Sequence, residues 1–545
     1  MAAAGLILLG CNATSDSSST SAVDSASVKP NVENIKGHMN FLAHDLLEGR
    51  DTGSRGHEIA SLYIANEFKK YGLLPAGENN TFMQRVALRK GLLVEDSPSF
   101  SITKDDETIE MSFLDDYLVS PNLGYTQASV SAPLVFVGYG IVAPELDHND
   151  YAKINVEGKI VVVLSGKPAS FPSEVGSHVS SGSQKSDYAA DRGAVGYITL
   201  QTPAAEKRRP YDRSKLYVKT PRMAWIGNDG VPGNMRPELK ASASLSINAS
   251  KALFLGTPVS LDQIYAQIEK DEIPEAFDLA YKASLSYVTS HEDISSPNVV
   301  GMLEGSDSTL KNEYVVYTAH SDHLGISKSV EKDKINNGAM DNATGTAVLM
   351  ETARMFSQLP VAPKRSILFI AVTGEEKGLL GADYFARNPT RPLESLVANV
   401  NLDMPLLTYE FADVIAFGAS HSSMGEKVAT AVANANITLT DDPWPELNLF
   451  TRSDHYAFVK QGIPAVFLVT GIESKTPGID GSEVLNTFLA NNYHRPSDDM
   501  TQAFIWDASR TFTQVNFEIG LTLGNDAERP TWNEDSFFGQ TFGRK

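Results

Sequence analysis

Three apolar segments, EYVVYTAH (313–320), RSILFIAVTGEE (365–376) and LVANVNLD (396–403), each end on a histidine or a carboxylate. Their length and their content of Val, Ile and aromatic residues are typical of buried strands. Between them lie two helix-like segments, ATGTAVLMETARMFSQL (343–359) and KGLLGADYFARN (377–388). Apolar strands that alternate with helices predict a doubly wound, mostly parallel sheet with helices on both faces. The predicted fold class is therefore α/β.

Six residues in and beyond this region are of types that ligate metal ions: His320, Asp341, Glu375, Glu376, Asp403 and His494. All but Asp341 and His494 lie at the carboxyl ends of predicted strands, where doubly wound sheets place their sites. Two histidines with several carboxylates form a mixed nitrogen and oxygen donor set that suits zinc. The carboxylates exceed the needs of one zinc site. That surplus favours a pair of ions sharing a bridging carboxylate, with one carboxylate left as a base, and so predicts a metal-dependent hydrolase.

Each of these residues also has a purely structural interpretation. Glu375 and Glu376 could simply place negative charge at the positive end of a helix. Asp341 could cap the helix that follows it, and Asp498 could cap a later one. His494 could be an ordinary loop histidine. The metal interpretation therefore depends on the combination of residues and on their positions at strand ends.

Five motifs together resemble the co-catalytic zinc peptidase family of bacterial leucyl aminopeptidases and aminopeptidase Y. They are HSD (320–322), the aspartate of MDNATG (340–345), GEE (374–376), NLD (401–403) and YHRPSDD (493–499). Glutamate carboxypeptidase, glutaminyl cyclase and transferrin receptor are more distant relatives of that family. The resemblance covers roughly residues 33–117 and 256–530. It implies an aminopeptidase that removes N-terminal residues from peptides with two zinc ions (Zn2+) per chain.

The resemblance also implies a role for each residue of the site. The metal ligands would be His320, Asp341, Glu376, Asp403 and His494, with Asp341 bridging both ions. Glu375 would be the general base rather than a ligand. Asp322 would hydrogen-bond the imidazole of His320 and so fix its tautomer.

Around these positions the resemblance is less complete. The family's aminopeptidases place a tyrosine that steadies the oxyanion where this chain has Phe450 or Thr451. We therefore expect another donor there, with Arg452 or Tyr409 as candidates. The pair Ser453 and Asp454 should shape the pocket, and His323 should be structural or lie outside the ligand shell.

Residues 118–255 contain none of the six candidate ligands and consist of short apolar runs bounded by Gly and Pro. This segment is similar to a protease-associated domain, notably in VGYGIVAPELDHNDY (137–151) and VEGKIVVVLSG (156–166). We expect a smaller, mainly β protease-associated domain, inserted between two parts of the peptidase domain (33–117 and 256–530). Residues 531–545 would be a C-terminal tail. We also expect the insert to lie over the rim of the metal site.

The N-terminus resembles a bacterial lipoprotein signal. Cys11, the only cysteine, ends the apolar run LILLGC and precedes a Ser/Thr-rich stretch, so residues 1–32 would be a signal and a flexible tether. The run is short and lacks Lys and Arg, unlike an ordinary signal peptide. The predicted location is the bacterial cell envelope, periplasmic or anchored in the outer membrane through lipid on Cys11, or alternatively the secreted fraction.

Composition and missing motifs narrow the function further. The chain has 67 acidic and 46 basic residues, which argues against binding nucleic acid or anionic membranes by charge. The sequence contains no HExxH, no GxSxG and no P-loop motif. Two alternatives to the aminopeptidase stay open: a carboxypeptidase of the same family and a non-catalytic, substrate-binding lipoprotein. The sequence does not give the oligomeric state.

Overall fold

A computed structural model describes residues 28–233, 235–328 and 330–544. Cys11 and most of the predicted tether lie outside these residues, so the lipid anchor and the envelope location stay predictions. Within the described residues, no helix is both long enough and apolar enough to cross a bilayer.

The part of the chain predicted to be the peptidase domain is built on one central sheet. Across the sheet its strands are Arg222–Trp225, Met83–Leu93, Phe277–Leu303, Ser366–Val372, Tyr314–His320, Leu396–Asn401, Ala465–Thr470, Asp413–Phe417 and Thr438–Leu439. The four strands from Ser366–Val372 to Ala465–Thr470 are parallel to one another. The predicted α/β fold with a mostly parallel central sheet is confirmed.

Helices cover both faces of this sheet. The main ones are Val32–Leu42, Arg55–Lys70, Thr344–Ser357, Leu380–Arg387, Met424–Asn434, Gly481–Asn491 and Trp506–Asn525. Successive residues of a strand point to opposite faces. Thus Val315 and Tyr317 pack in a core with the helix Thr344–Ser357, whereas Val316 packs in a second core with Leu380–Arg387. Strands buried on both sides explain why their sequences are continuously apolar.

A second sheet contains the strands of the insert. In order across the sheet they are Glu107–Met111, Ser99–Lys104, Phe277–Leu303, Gln127–Phe136, Ile160–Leu164, Gly196–Leu200, Ala241–Leu245 and Tyr117–Leu118. Its accompanying helices include Ser173–Val179, Gly182–Ala190, Pro203–Arg208, Tyr211–Lys215 and Leu261–Ile268. The strand Phe277–Leu303 takes part in both sheets. The identity of the insert as a protease-associated domain stays a prediction.

The strand Phe277–Leu303 is longer than its apolar pattern indicates, because KASLSYVTS (282–290) and PNVVGMLEG (297–305) alone predict two shorter strands. The polar run HEDISS between them interrupts the apolar pattern. In the structure this run stays in the ladder by pairing with the strand Met83–Leu93, and two ion pairs accompany that pairing. Arg89 Nε lies 2.9 Å from Asp293 Oδ1, and Lys90 Nζ lies 3.2 Å from Glu292 Oε2. Cross-strand pairs of opposite charge stabilise such a segment.

Candidate metal centre

All six candidate ligands come together at one edge of the central sheet. His320 ends its strand, and the parallel neighbour Leu396–Asn401 brings Asp403 to the same edge. Gly374 follows the strand Ser366–Val372 with a φ of 68°, a conformation that favours glycine. The turn at Gly374 leads directly into the two adjacent glutamates.

The first donor group surrounds His320, which is fully buried. Its Nε2 atom lies 3.1 Å from Asp403 Oδ1 and 3.4 Å from Asp341 Oδ1. Glu375 Oε2 lies 3.9 Å from the same nitrogen. The other ring nitrogen, Nδ1, is 3.2 Å from the backbone oxygen of Asp322. An Nδ1–H that donates to this carbonyl leaves Nε2 free to act as a ligand.

The second donor group surrounds Glu376. Its Oε2 atom lies 3.2 Å from His494 Nε2, and that nitrogen lies 3.3 Å from Asp341 Oδ2. The two oxygens of Asp341 thus face different histidines. His323 belongs to this group as well, since its Nδ1 atom is 2.7 Å from Glu376 Oε1. The sequence interpretation kept His323 outside the ligands, whereas in the structure it contacts one of them directly.

The centre carries an excess of negative charge. Burial raises the pKa of Glu375 well above its ordinary value, and the carboxylates of Glu376 and Asp403 add to this effect. Burial lowers the pKa of His320 and His494, but the surrounding carboxylates outweigh it. Asp403 first and Glu375 second raise the pKa of His320, and Glu376 raises that of His494 to about 10. The same carboxylates that raise the pKa of these histidines favour a metal cation at the centre, which would replace the protons on the Nε2 atoms.

The position of Asp322 differs from the expectation. Its Oδ1 atom lies 4.0 Å from His320 Nδ1, which is too far for a hydrogen bond. Because the strand ends at His320, the chain turns and the carboxylate faces elsewhere. It accepts hydrogen bonds from Thr52 Oγ1 at 2.9 Å and from the backbone N–H of Glu375 at 3.1 Å. Asp322 therefore positions Glu375, not the imidazole of His320.

Two buried residues that the sequence analysis did not select hold the loops of the centre. Arg50 donates hydrogen bonds to the backbone oxygens of Ser321 at 3.0 Å and Gly338 at 3.0 Å. Asp498 accepts hydrogen bonds from the backbone N–H groups of Met340 at 2.9 Å and Asp341 at 3.0 Å. Both side chains fix the backbone on either side of metal-ligand positions. Asp498 lies in the YHRPSDD motif, which is the one signal in the sequence that pointed towards it.

The stretch that follows the expected tyrosine position orients Asp403. Ser453 Oγ donates to Asp403 Oδ2 at 2.6 Å and accepts from Asn401 Nδ2 at 2.6 Å. Asp454 is fully buried, and its carboxylate has no hydrogen-bond partner among the described residues. Burial raises the pKa of Asp454 to about 8. Ser453 thus contacts a candidate ligand, whereas the raised pKa of Asp454 favours its uncharged form.

A cavity of about 110 Å3 opens beside the centre. Its acidic end is formed by His320, Asp341, Glu375 and Asp403. The apolar part of its wall consists of Met404, Leu406, Leu447, Leu449, Phe467, Val469, Leu485 and Leu489. Apolar cavities of similar size, roughly 150 Å3, take up molecules such as benzene. The cavity therefore suits one apolar side chain whose polar backbone atoms reach the acidic end.

Of the donors considered for the oxyanion, Arg452 lines this cavity. Its Nη2 atom donates to the hydroxyl of Tyr493 at 3.3 Å, and Tyr493 also lines the cavity. Phe450 is buried in an aromatic cluster, and the hydroxyl of Tyr409 is used in a hydrogen bond to Gly471 O at 2.5 Å. Arg452 and Tyr493 are thus the better placed pair.

Comparison with known proteins gives related enzymes. Residues 298–519 match Peptidase family M28. The chain is 27% identical over 188 residues to a probable zinc metalloprotease of Pyrenophora tritici-repentis, covering 33% of this chain and 42% of that protein. It is 28% identical over 250 residues to Aminopeptidase YwaD of Bacillus subtilis, covering 44% and 50%. The chain thus spans half or less of the length of these curated relatives.

A solved structure extends the likeness over almost the whole fold. An aminopeptidase from Aneurinibacillus sp. strain AM-1 superimposes with a TM-score of 0.52 at 18% identity, covering 93% of this chain and 97% of that chain. The residues that match the family, 298–519, contain all six candidate ligands. Residues 298–519 of this chain are thus similar to Peptidase family M28.

Proposed function

We propose that the protein is a zinc-dependent exopeptidase that removes N-terminal residues from peptides with a dinuclear zinc site and a glutamate base. The observation that carries this proposal is the position of Asp341 beside an apolar cavity. Its Oδ1 faces His320 and its Oδ2 faces His494, as expected for a carboxylate shared by two ions. The names of the two curated relatives, a zinc metalloprotease and an aminopeptidase, support the same activity.

The residues present fit zinc. Two donors that each lie about 2.0–2.1 Å from a tetrahedral zinc ion are about 3.3–3.4 Å apart. The four donor pairs formed by the two histidines with Asp341, Asp403 and Glu376 are 3.1–3.4 Å apart. His320, Asp341 and Asp403 would hold one ion, and Asp341, Glu376 and His494 the other. The expected ligand, His320, has its second nitrogen on a backbone carbonyl, as metal-binding histidines commonly do.

Zinc bound at this centre would act as a Lewis acid on the scissile carbonyl and would acidify the attacking water. Glu375 lines the cavity and is the free carboxylate next to the reacting groups. It would accept the proton that the water loses and pass it to the leaving amine nitrogen. Asp322 holds the backbone N–H of Glu375, which keeps the base in place while the proton moves.

An N-terminal residue fits the cavity better than a C-terminal one. Three carboxylates, Asp341, Glu375 and Asp403, line its acidic end and favour an amino group there. Arg452 is the one guanidinium or ammonium group among the described lining residues, and it lies beside Tyr493. The apolar wall would hold the side chain of the residue that is removed. This distribution favours the aminopeptidase over the carboxypeptidase.

Blocking the N-terminus should therefore slow hydrolysis strongly. We expect L-leucyl-p-nitroanilide to be cleaved and N-acetyl-L-leucyl-p-nitroanilide to react roughly 10–100-fold more slowly, because the blocked substrate loses a charged hydrogen bond. Initial rates on both substrates measure the ratio. Equal rates would contradict the aminopeptidase assignment. Preference for a peptide with a free C-terminal carboxylate over its amide would favour the carboxypeptidase alternative.

Arg452 should stabilise the negative charge that develops on the carbonyl oxygen. Its guanidinium polarises the hydroxyl of Tyr493, whose proton stays available for that oxygen. Removing one such donor typically costs about 10²–10³-fold in kcat. We expect Arg452→Met to lower kcat on L-leucyl-p-nitroanilide by about 10²-fold with little change in KM.

The p-nitroanilide substrate distinguishes stabilisation of the oxyanion by Arg452 from binding of a substrate carboxylate by the same residue. It has no terminal carboxylate, so a loss of kcat on it cannot come from a lost carboxylate contact. Arg452→Lys serves as the matched control, because it keeps the charge and should recover part of the activity. A KM effect restricted to dipeptides would show instead that Arg452 grips a carboxylate.

A further inference from the structure

One wall of the cavity is formed by residues 442–452, here called the wall loop. Leu447, Leu449 and Arg452 of this loop line the cavity. Its regular structure amounts to two single turns of 3-10 helix, on either side of Asn448. Asn448 has a φ of 52°, in the left-handed region that asparagine enters more easily than most residues. A loop with so few internal constraints takes its position from what packs against it.

Phe450 packs the wall loop into the aromatic cluster described above, and the insert, which contributes none of the candidate ligands, provides polar contacts around Asn448. Lys167 Nζ donates to Asn448 Oδ1 at 2.6 Å, and Ser177 Oγ donates to the same oxygen at 3.0 Å. The hydroxyl of Ser173 donates to Asp442 at the start of the wall loop. Two donors from the insert thus converge on the one side chain that separates Leu447 from Leu449.

The helix that carries Ser173 and Ser177 is itself fixed against the peptidase domain. Glu174 Oε2 lies 2.7 Å from His421 Nε2, and His178 Nδ1 lies 2.6 Å from the hydroxyl of Tyr456. Both contacts come from the helix Ser173–Val179, which also carries Ser177. The helix therefore cannot shift without breaking buried contacts to the catalytic domain. The helix can therefore hold the wall loop in a fixed position.

We propose that Lys167 and Ser177 are specificity-determining residues, through which the insert sets the shape of the pocket for the N-terminal side chain. By holding Asn448, they keep Leu447 and Leu449 in contact with a bulky apolar side chain. The class of substrate that depends on this contact is peptides that begin with leucine or a residue of similar or larger apolar size. This inference rests on the proposed aminopeptidase function.

The expected signature is selective. Lys167 and Ser177 contact neither the candidate ligands nor Glu375 in the described structure, so their loss should leave the chemical step intact. A displaced wall removes apolar contact from a leucyl side chain, whereas an alanyl side chain is too short to make that contact. We therefore expect a change in KM for large substrates and little change in kcat.

The test uses the double variant Lys167→Met/Ser177→Ala in the full chain. We expect KM for L-leucyl-p-nitroanilide to rise about tenfold, and KM for L-alanyl-p-nitroanilide to stay within about twofold. Zinc content should equal that of the wild type. Lys153→Met is the matched control, because Lys153 is an exposed lysine of the same insert whose ion-pair partner is Glu275 at 3.9 Å. The control should match the wild type on both substrates.

A mutant cycle distinguishes the contact of Lys167 and Ser177 with Asn448 from a general loss of stability. Asn448→Gly tolerates the left-handed conformation but removes the acceptor, so it should reproduce the effect of the double variant. Combining all three substitutions should then add no further increase in KM. Additive effects, or equal changes for leucyl and alanyl substrates, would overturn the inference.

The inference can be tested even if the protein is not an aminopeptidase. Failure of the wild type to cleave either p-nitroanilide would contradict the aminopeptidase itself. Calorimetric titration with L-leucine and L-alanine then measures how the wall loop affects binding, without any need for hydrolysis. The inference requires that the double variant weaken L-leucine binding about tenfold and leave L-alanine binding nearly unchanged. Equal weakening, or none, would refute it.

Discussion

Glutamine in place of Glu375 is expected to lower kcat by roughly 10²–10⁴-fold while the protein keeps its zinc. The amide has the shape of the carboxylate but cannot accept a proton from water. The structure separates the two adjacent glutamates: Glu375 lines the cavity, whereas Glu376 is not among its described lining residues and lies between His323 and His494. Initial rates on L-leucyl-p-nitroanilide and zinc content by atomic emission measure the two effects.

Glu376→Gln is the matched control for this prediction. It makes the same chemical change one position later, at a carboxylate whose two oxygens both lie within 3.2 Å of a histidine nitrogen. We expect this variant to lose zinc from the second donor group. If Glu375→Gln emptied the site while Glu376→Gln stayed loaded, the roles of the two glutamates would be reversed.

The location of the centre could be predicted from the sequence because the end of each strand can be recognised locally, and the ends of parallel strands meet in the folded sheet. Parallel strands end at the same edge of a sheet, and the strands Tyr314–His320 and Leu396–Asn401 are indeed parallel neighbours. Candidate ligands that each close an apolar run must therefore lie near one another. His494 was found differently, through its motif alone, since it follows the helix Gly481–Asn491 rather than a strand.

The residues that hold the centre could not be predicted, because their contacts join distant parts of the chain. Arg50 reaches Ser321, which is 271 positions away, and Asp498 reaches Met340, 158 positions away. Arginine is rarely buried, so a local pattern assigns Arg50 to the surface. Only packing of the first helices against the metal-ligand loops reveals that its guanidinium donates four hydrogen bonds to backbone oxygens.

The residues that form this wall of the cavity could not be predicted from the sequence for a related reason. The wall loop has no periodic pattern, and Lys167 and Ser177 of the insert hold its central residue, Asn448. Short apolar runs bounded by Gly and Pro mark an inserted segment, but they do not show which loop that segment contacts. Contacts between the insert and Asn448 depend on the mutual position of two sheets, which no local pattern contains.

Replacing Asp341 by alanine is expected to remove both zinc ions, whereas replacing His494 by alanine should remove one. The reason is the position of Asp341 between the two donor groups, 3.4 Å from His320 and 3.3 Å from His494. Loss of a bridging carboxylate takes a ligand from each ion, but loss of His494 leaves His320, Asp341 and Asp403 in place. Zinc content after dialysis should be about two ions per chain for the wild type, below one for Asp341→Ala and about one for His494→Ala.

Thermal unfolding with added zinc gives a second measurement of the same prediction, independent of activity. A ligand that binds the folded state at 100 times its Kd stabilises a protein by about 2.7 kcal/mol, so zinc should raise the Tm of the metal-free wild type. Asp341→Ala should show almost no rise, and His494→Ala a smaller rise than the wild type. Peptidase activity should follow zinc content and be lost in Asp341→Ala. Binding of two zinc ions by Asp341→Ala with the affinity of the wild type would exclude a bridging role, because a shared ligand cannot be removed without cost to either ion.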